Sequence, residues 1–250
     1  MHTFAQIGDF FQAHPGMLLA ETANQAELCV VALAVAFVIA FPIGVIVGHL
    51  HRWSFLAING GNVLRALPTL AVIALGIALY GGGYVNILVA LVVLVIPLIL
   101  TNSYVAVDGV DPGMVEAARG MGLTWWQIIV RVEVPNAVPL VMAGVRTASV
   151  YVIAGAYVGA FAGYDGTLGD IITNQGSYGL PGVLAATAVS IVLAVIGELI
   201  FAGLQRLLVP KGLRITAGRH SRAAAENAVV PENRGRAAGK PAKPGHVGGQ

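Results

Sequence analysis

Charged side chains are scarce in this sequence: only 10% of its 250 residues, against 57% hydrophobic, where a soluble domain carries roughly a quarter charged residues. That shortage excludes an ordinary water-soluble globule. Cysteine is nearly missing as well. Cys29 is the only one, so no internal disulfide can form, and its apolar surroundings give it a packing role. Residues 1–25 hold Asp9 and Glu21 but no lysine or arginine, so the basic start of a cleavable signal peptide is missing and the first apolar span is expected to be retained. A G-x-x-x-x-G-K-[ST] phosphate-binding loop is absent, which places no ATP site on this chain. No constellation of His, Asp, Ser or Cys suggests catalysis. His49 and His51, at i and i+2, point to different helix faces and make a poor metal site, so headgroup-level positions are expected for them. Neither an enzyme, nor a bound cofactor, nor a metal site is expected.

What is present is hydrocarbon. About 20 apolar residues cross a bilayer core of roughly 30 Å, and five such runs lie near residues 26–48, 54–80, 84–107, 137–162 and 183–208. The expected fold is an all-α membrane protein with about five transmembrane helices. Residues 1–25 would form an N-terminal segment, 26–213 the membrane domain and 214–250 a disordered basic tail. Nine of the fourteen lysines and arginines fall at or after Arg206. The charge bias sets the orientation: with the N-terminus outside, Arg52, Arg119, Arg131 and the tail are cytoplasmic, whereas 81–83 and 163–182 carry Asp165 and Asp170 but no basic residue.

The longest polar interruption, 108–136, has its own local grammar. Asp111-Pro112 reads as an N-cap followed by proline at the first helical position. A short helix to about Arg119 follows, with Gly120 and Gly122 able to stop it in left-handed geometry. Thr124-Trp125-Trp126-Gln127 fits the capping box of a second helix, which Pro135 is expected to break or kink. Trp125 and Trp126 are expected to anchor it at the headgroup level.

Three residues separate Glu116-Ala117-Ala118 from Gly122, and nine more lead to Val132-Glu133-Val134-Pro135. This spacing resembles the hallmark cytoplasmic loop of the integral membrane subunits of bacterial ABC importers. The resemblance runs from about residue 20 to about residue 213. It implies a type I importer-like transmembrane domain whose loop 108–136 docks in a cleft of a separate ATPase subunit, present in two copies, which binds ATP and Mg. Asp111, Pro112, Glu116, Ala117, Ala118, Arg119, Gly122 and Pro135 would form the docking loop. It further implies a second permease chain, identical or related, an extracytoplasmic substrate-binding protein, and residence in the bacterial inner membrane. Val110–Gly122, Arg65–Leu70, Val134–Thr147 and Gly166-Thr167-Leu168-Gly169-Asp170 are similar to the osmoprotectant branch, which carries glycine betaine, carnitine and choline. Methionine importer permeases are the nearest rival. An ion-gradient-driven secondary transporter is the alternative from another class, and it predicts uptake by this polypeptide alone.

Within the spans, ionisable groups are costly and need a partner or a wet cavity. Glu198 and Arg146 fall at similar depth, so an ion pair between them, or failing that with Arg65, is expected. Pro42, Pro68 and Pro97 each remove a helix hydrogen bond and permit a kink. Pro68 and Thr69 are candidate path-lining residues. Gly44 with Gly48, and the series Gly155, Gly159 and Gly163, form small faces for close helix packing. Tyr164, Asp165, Asp170 and Tyr178, on the outer side, are candidate contacts for the binding protein.

Overall fold

A computed structural model describes residues 2–51 and 69–208. Every element in them is helical. They are α1 (His2–Ala13), α2 (Pro15–Leu50), α3 (Thr69–Tyr80), α4 (Tyr84–Asp108), α5 (Pro112–Gly120), α6 (Trp125–Ile128), α7 (Val134–Ala156), α8 (Leu168–Thr173) and α9 (Gln175–Leu208). A wide π turn, Ile129–Glu133, joins α6 to α7, and a 3-10 turn, Tyr157–Ala162, follows α7. Among the described residues four helices are long and apolar enough to cross a membrane: Pro15–Leu50, Tyr84–Asp108, Trp125–Ala162 and Gln175–Leu208. Leu70–Leu79 is a shorter apolar helix. It is the described end of the expected second span, whose earlier part, with Arg65 and Pro68, lies outside the described residues, as does the tail after Leu208.

Helix α2 begins well before the expected residue 26. Pro15 occupies its first turn, where a missing N–H costs nothing. Glu21 and Gln25 are polar yet buried, 8% and 0% exposed, so a hydropathy boundary falls too late. Pro42 and Pro97 sit inside continuous helices. The helix stops at His51, which takes the left-handed conformation (φ 47°) and sends its N–H to the Gly48 carbonyl.

Helix α4 is the centre of the packing, with α2 on one side and α7 on the other. Glycine makes the α2–α4 crossing possible. A Cβ on Gly44 would fall 2.6 Å from Ser103 Cβ and 2.8 Å from the Leu100 carbonyl, and one on Gly48 would fall 2.8 Å from Val107 Cβ. On α7, a Cβ on Gly144 would meet Asn102 and one on Gly155 would meet Leu91, both on α4. Of the two small faces read from the sequence, Gly44 with Gly48 is where helix backbones approach closely; the series Gly155, Gly159 and Gly163 does not form one face, because α7 ends at Ala156, Gly159 lies in the 3-10 turn and Gly163 is its left-handed cap. Between them lies a core that includes Leu28, Ala32, Leu91, Val95, Ile99, Ala148 and Val152.

One expectation about the polar stretch is corrected. Pro135 neither breaks nor ends the second helix of the polar stretch, because α6, the π turn and α7 run on as one helical stretch, Trp125–Ala162. The wider turn just ahead of Pro135 relaxes the ladder where a donor is missing, and the Asn136 side-chain amide donates to the Val132 carbonyl at 2.6 Å. Residues 163–182 hold α8 and the first part of α9, which bends at Gly179 (φ 65°) two residues ahead of Pro181.

Candidate functional site

The helix ends gather into two groups. At one end lie the C-termini of α2 and α4, helix α5 and the start of the α6–α7 stretch. At the other, the Gly83 N–H donates to the Ala162 carbonyl at 2.7 Å, and the Leu168 N–H donates to Gln25 Oε1 at 3.1 Å.

At the first end, Asp111 caps α5. Its carboxylate accepts from the Gly113 N–H at 2.8 Å, with Pro112 in the first turn. The helix ends in a Schellman arrangement: the Leu123 N–H reaches the Ala118 carbonyl at 3.2 Å and the Gly122 N–H reaches the Arg119 carbonyl at 2.9 Å. Only Gly122, with φ 81°, adopts the left-handed conformation; Gly120 remains the last helical residue. The Thr124–Gln127 capping box is fully formed, with Gln127 N–H to Thr124 Oγ1 at 3.4 Å and Thr124 N–H to Gln127 Oε1 at 2.9 Å. The result is a stiff, self-capped corner. Glu116, Ala117 and Arg119 are exposed on it, whereas Ala118 is 1% exposed and turned into the corner, so only one of the two alanines is free for close approach. Met114 and Met121 are exposed beside them, and Trp125 and Trp126 stand edge to face with ring centroids 5.4 Å apart.

Two histidines that spacing alone left as headgroup residues turn out to tie this corner down. His49 Nδ1 lies 2.8 and 2.9 Å from the two carboxylate oxygens of Glu133, and its ring packs on Trp125 at 5.7 Å. His51 Nδ1 lies 2.7 Å from Asp108 Oδ1 in a more exposed setting. Their signal is three-dimensional, since the sequence separates His49 from Glu133 by 84 positions. Among the described residues no group of three or more His, Cys, Asp or Glu is placed to hold a metal ion.

Inside the membrane domain the structure brings Arg146 and Glu198 together. Arg146 Nε donates to Glu198 Oε1 at 2.5 Å, and the terminal guanidinium nitrogen closes on the same oxygen. Thr69 opens α3. At the far end, Tyr164 meets Tyr84 edge to face at 5.5 Å, and burial pushes its hydroxyl pKa up, with Tyr84 and Glu27 adding to the effect. Asp165 is exposed, and Asp170 accepts from the Asn174 side chain at 2.6 Å. Tyr178 packs edge to face on Phe10 of α1 at 6.5 Å. These four residues share one end of the molecule.

A bundle of long apolar helices with a capped, exposed corner at one end has the form of a transport-system membrane subunit. The model of the family described as binding-protein-dependent transport system inner membrane component matches residues 40–211, and the chain belongs to that family. It is 34% identical over 214 residues to a glycine betaine/carnitine/choline transport system permease protein of Bacillus subtilis (strain 168), covering 84% of this chain and 96% of that protein. A carnitine transport permease protein of Listeria monocytogenes is also 34% identical, over 82% of this chain and 94% of that one. Among solved structures, an inward-facing MetNI methionine ABC transporter chain superimposes with a TM-score of 0.69 at 21% identity, over 79% of this chain and 99% of that chain. The last likeness establishes the fold alone.

Proposed function

We propose that this chain is the transmembrane subunit of an ATP-driven importer for quaternary-amine osmoprotectants of the glycine betaine, carnitine and choline class. The observation that carries the reading is the self-capped corner with Glu116, Ala117 and Arg119 exposed, in a chain whose relatives are permeases named for those substrates. The corner docks in a cleft of a cytoplasmic ATPase subunit, two copies of which bind ATP and Mg. ATP-driven closure then moves the corners, and the helices rock between inward and outward openings.

This reading has five crossings, with the N-terminus outside and the C-terminus in the cytoplasm; the four long apolar helices among the described residues support it. The corner's Arg119 and Arg131 and the opposite end's Asp165 and Asp170 fit that direction. In this reading the residues before α2 lie on the extracytoplasmic side, α2 runs from there through the expected boundary at residue 26 into the permease domain in the bacterial inner membrane, which extends to 213, and 214–250 form a basic cytoplasmic tail. A second permease chain completes the path. An extracytoplasmic binding protein delivers substrate at Tyr164, Asp165, Asp170 and Tyr178. The methionine alternative has only the shared fold on its side, and the ion-gradient alternative leaves the capped corner without a role.

The test is co-purification and transport together. The wild-type chain is expected to retain an ATPase subunit after mild solubilisation and to support ATP-dependent glycine betaine uptake, with both lost in Glu116→Lys while the chain still reaches the membrane. Accumulation of solute by the purified chain alone would sink the proposal.

A further inference from the structure

Two exposed faces of the bundle differ in chemistry. Along α9, Val192, Val195 and Leu199 are 56%, 52% and 65% exposed and form a purely apolar stripe, as hydrocarbon requires. The stripe of α7 around Arg146 is different. There a groove of about 390 Å³ is lined by Ala143, Arg146, Thr147, Val150, Tyr151 and Glu198, a volume in the range of small-molecule sites. The Arg146 and Glu198 side chains are paired, yet 42% and 34% exposed. Arg146 lies midway along Trp125–Ala162 and Glu198 in the last third of Gln175–Leu208, so the pair stands within the lengths of both helices and not at their ends. A charged pair left open on such a surface cannot face lipid tails and must face water or protein.

We propose that this groove is a wall of the water-filled translocation path, and that the Arg146–Glu198 pair is a docking point for a zwitterion. The substrate's carboxylate takes Arg146, and its quaternary ammonium takes Glu198 beside the Tyr151 ring, which is 50% exposed. The ligand assignment rests on the function proposed above. An ion pair exchanged for a zwitterion's own two charges leaves the site neutral throughout, whereas a bare cation such as choline would leave the guanidinium facing it unpaired. The groove therefore favours carboxylate-bearing betaines over choline at this step. Tyr151 and Thr147 join the path candidates; neither stood out in the sequence.

The test uses the whole transporter in membrane vesicles, with Cys29, the chain's only cysteine, replaced by serine. In that background Thr147→Cys is expected to react with the water-borne reagent trimethylammonium-ethyl methanethiosulfonate, while Val195→Cys on the apolar face is not. Glycine betaine should slow the reaction more than choline does at equal concentration. No reaction at Thr147→Cys from either side of the membrane overturns the wet wall, and this includes burial against a second permease copy. Equal protection by choline overturns the zwitterion assignment. The charge-swapped Arg146→Glu/Glu198→Arg variant keeps an ion pair but inverts it. It should assemble yet lose about tenfold or more in glycine betaine uptake, as expected for a misdirected charge-assisted contact. Full recovery of uptake would make the pair merely structural and overturn the docking role. If the wild-type transporter carries no quaternary amine while Thr147→Cys still reacts, the substrate class fails and the wet wall stands.

Discussion

Glu133 and His49 face each other across the base of the capped corner, both carboxylate oxygens within 2.9 Å of Nδ1 and the two side chains only 2% and 8% exposed. The contact joins the C-terminal turn of α2 to the π turn that leads into α7. In the function proposed above, a push on the corner would reach two membrane helices at once, not α7 alone. Removing one partner strands the other: Glu133→Ala leaves a buried imidazole without its acceptor, a defect of about 1–3 kcal/mol. The expected outcome is lower thermal stability of the solubilised transporter and a larger fall in uptake than in ATPase retention. A double-mutant cycle with His49→Ala decides the matter. A coupling energy near zero would show that the contact does not link the helices.

The glycine seam between α2 and α4 sets how closely the first span can approach the centre of the bundle. Gly48→Val must place new atoms where Val107 Cβ and the Tyr104 carbonyl already stand, 2.8 and 2.9 Å from the first added carbon. A backbone carbonyl cannot rotate away as a side chain can. Overpacking of this kind costs roughly 1–3 kcal/mol. The substitution should lower the melting temperature in detergent and leave little transporter in the membrane, whereas Gly203→Val, where a Cβ meets nothing within 4 Å, should be tolerated. Similar melting of the two variants would contradict the seam.

The corner's shape depends on two local devices. Gly122 holds φ 81°, so a β-branched residue there is strained by about 1–2 kcal/mol, and Thr124→Ala removes a cap worth about 1 kcal/mol. Neither residue needs to touch an ATPase for its loss to matter. Gly122→Val is therefore expected to weaken ATPase retention while the membrane domain melts almost as before, with Thr124→Ala milder in the same direction. Unchanged retention in Gly122→Val would mean that the partner does not read this shape.

How much of this was legible beforehand follows from the range of the interactions. The N-cap at Asp111, the left-handed Gly122 and the Thr124–Gln127 box are contacts between residues a few positions apart, and short spacings carry them into the sequence directly. The Gly44–Gly48 face was legible because a period of four marks one side of a helix, whereas the same period misled at Gly155, Gly159 and Gly163, where the α-helix gives way to a 3-10 turn after Ala156. The continuity of Trp125–Ala162 was not legible, since a proline after a polar stretch reads as a break, whereas here a widened turn leads into Pro135 and the helix runs on. Hydropathy also misplaced the start of α2, because Glu21 and Gln25 are polar but face other helices. The His49–Glu133 contact was out of reach: Glu133 lies in the Val132–Pro135 motif but nothing local points it to a residue 84 positions away, and their meeting depends on the α2–α4–α7 packing.

Gln25 offers the cleanest separation between the two ends of the molecule. It is fully buried in α2, and its carbonyl oxygen accepts from the Leu168 N–H at 3.1 Å, 143 positions away. That bond pins α8, the short helix bearing Asp170, against the first span. Gln25→Leu keeps a similar size but leaves a buried backbone N–H without an acceptor, costing about 1–3 kcal/mol. Gln25→Glu retains an acceptor at the same reach. The leucine variant is therefore expected to weaken binding-protein-stimulated uptake and the melting temperature while ATPase retention at the opposite end stays intact, with the glutamate variant recovering part of the uptake. If ATPase retention fell in step with uptake in the leucine variant, the two ends would not be separable, and α8 could not be assigned to the binding protein on this ground.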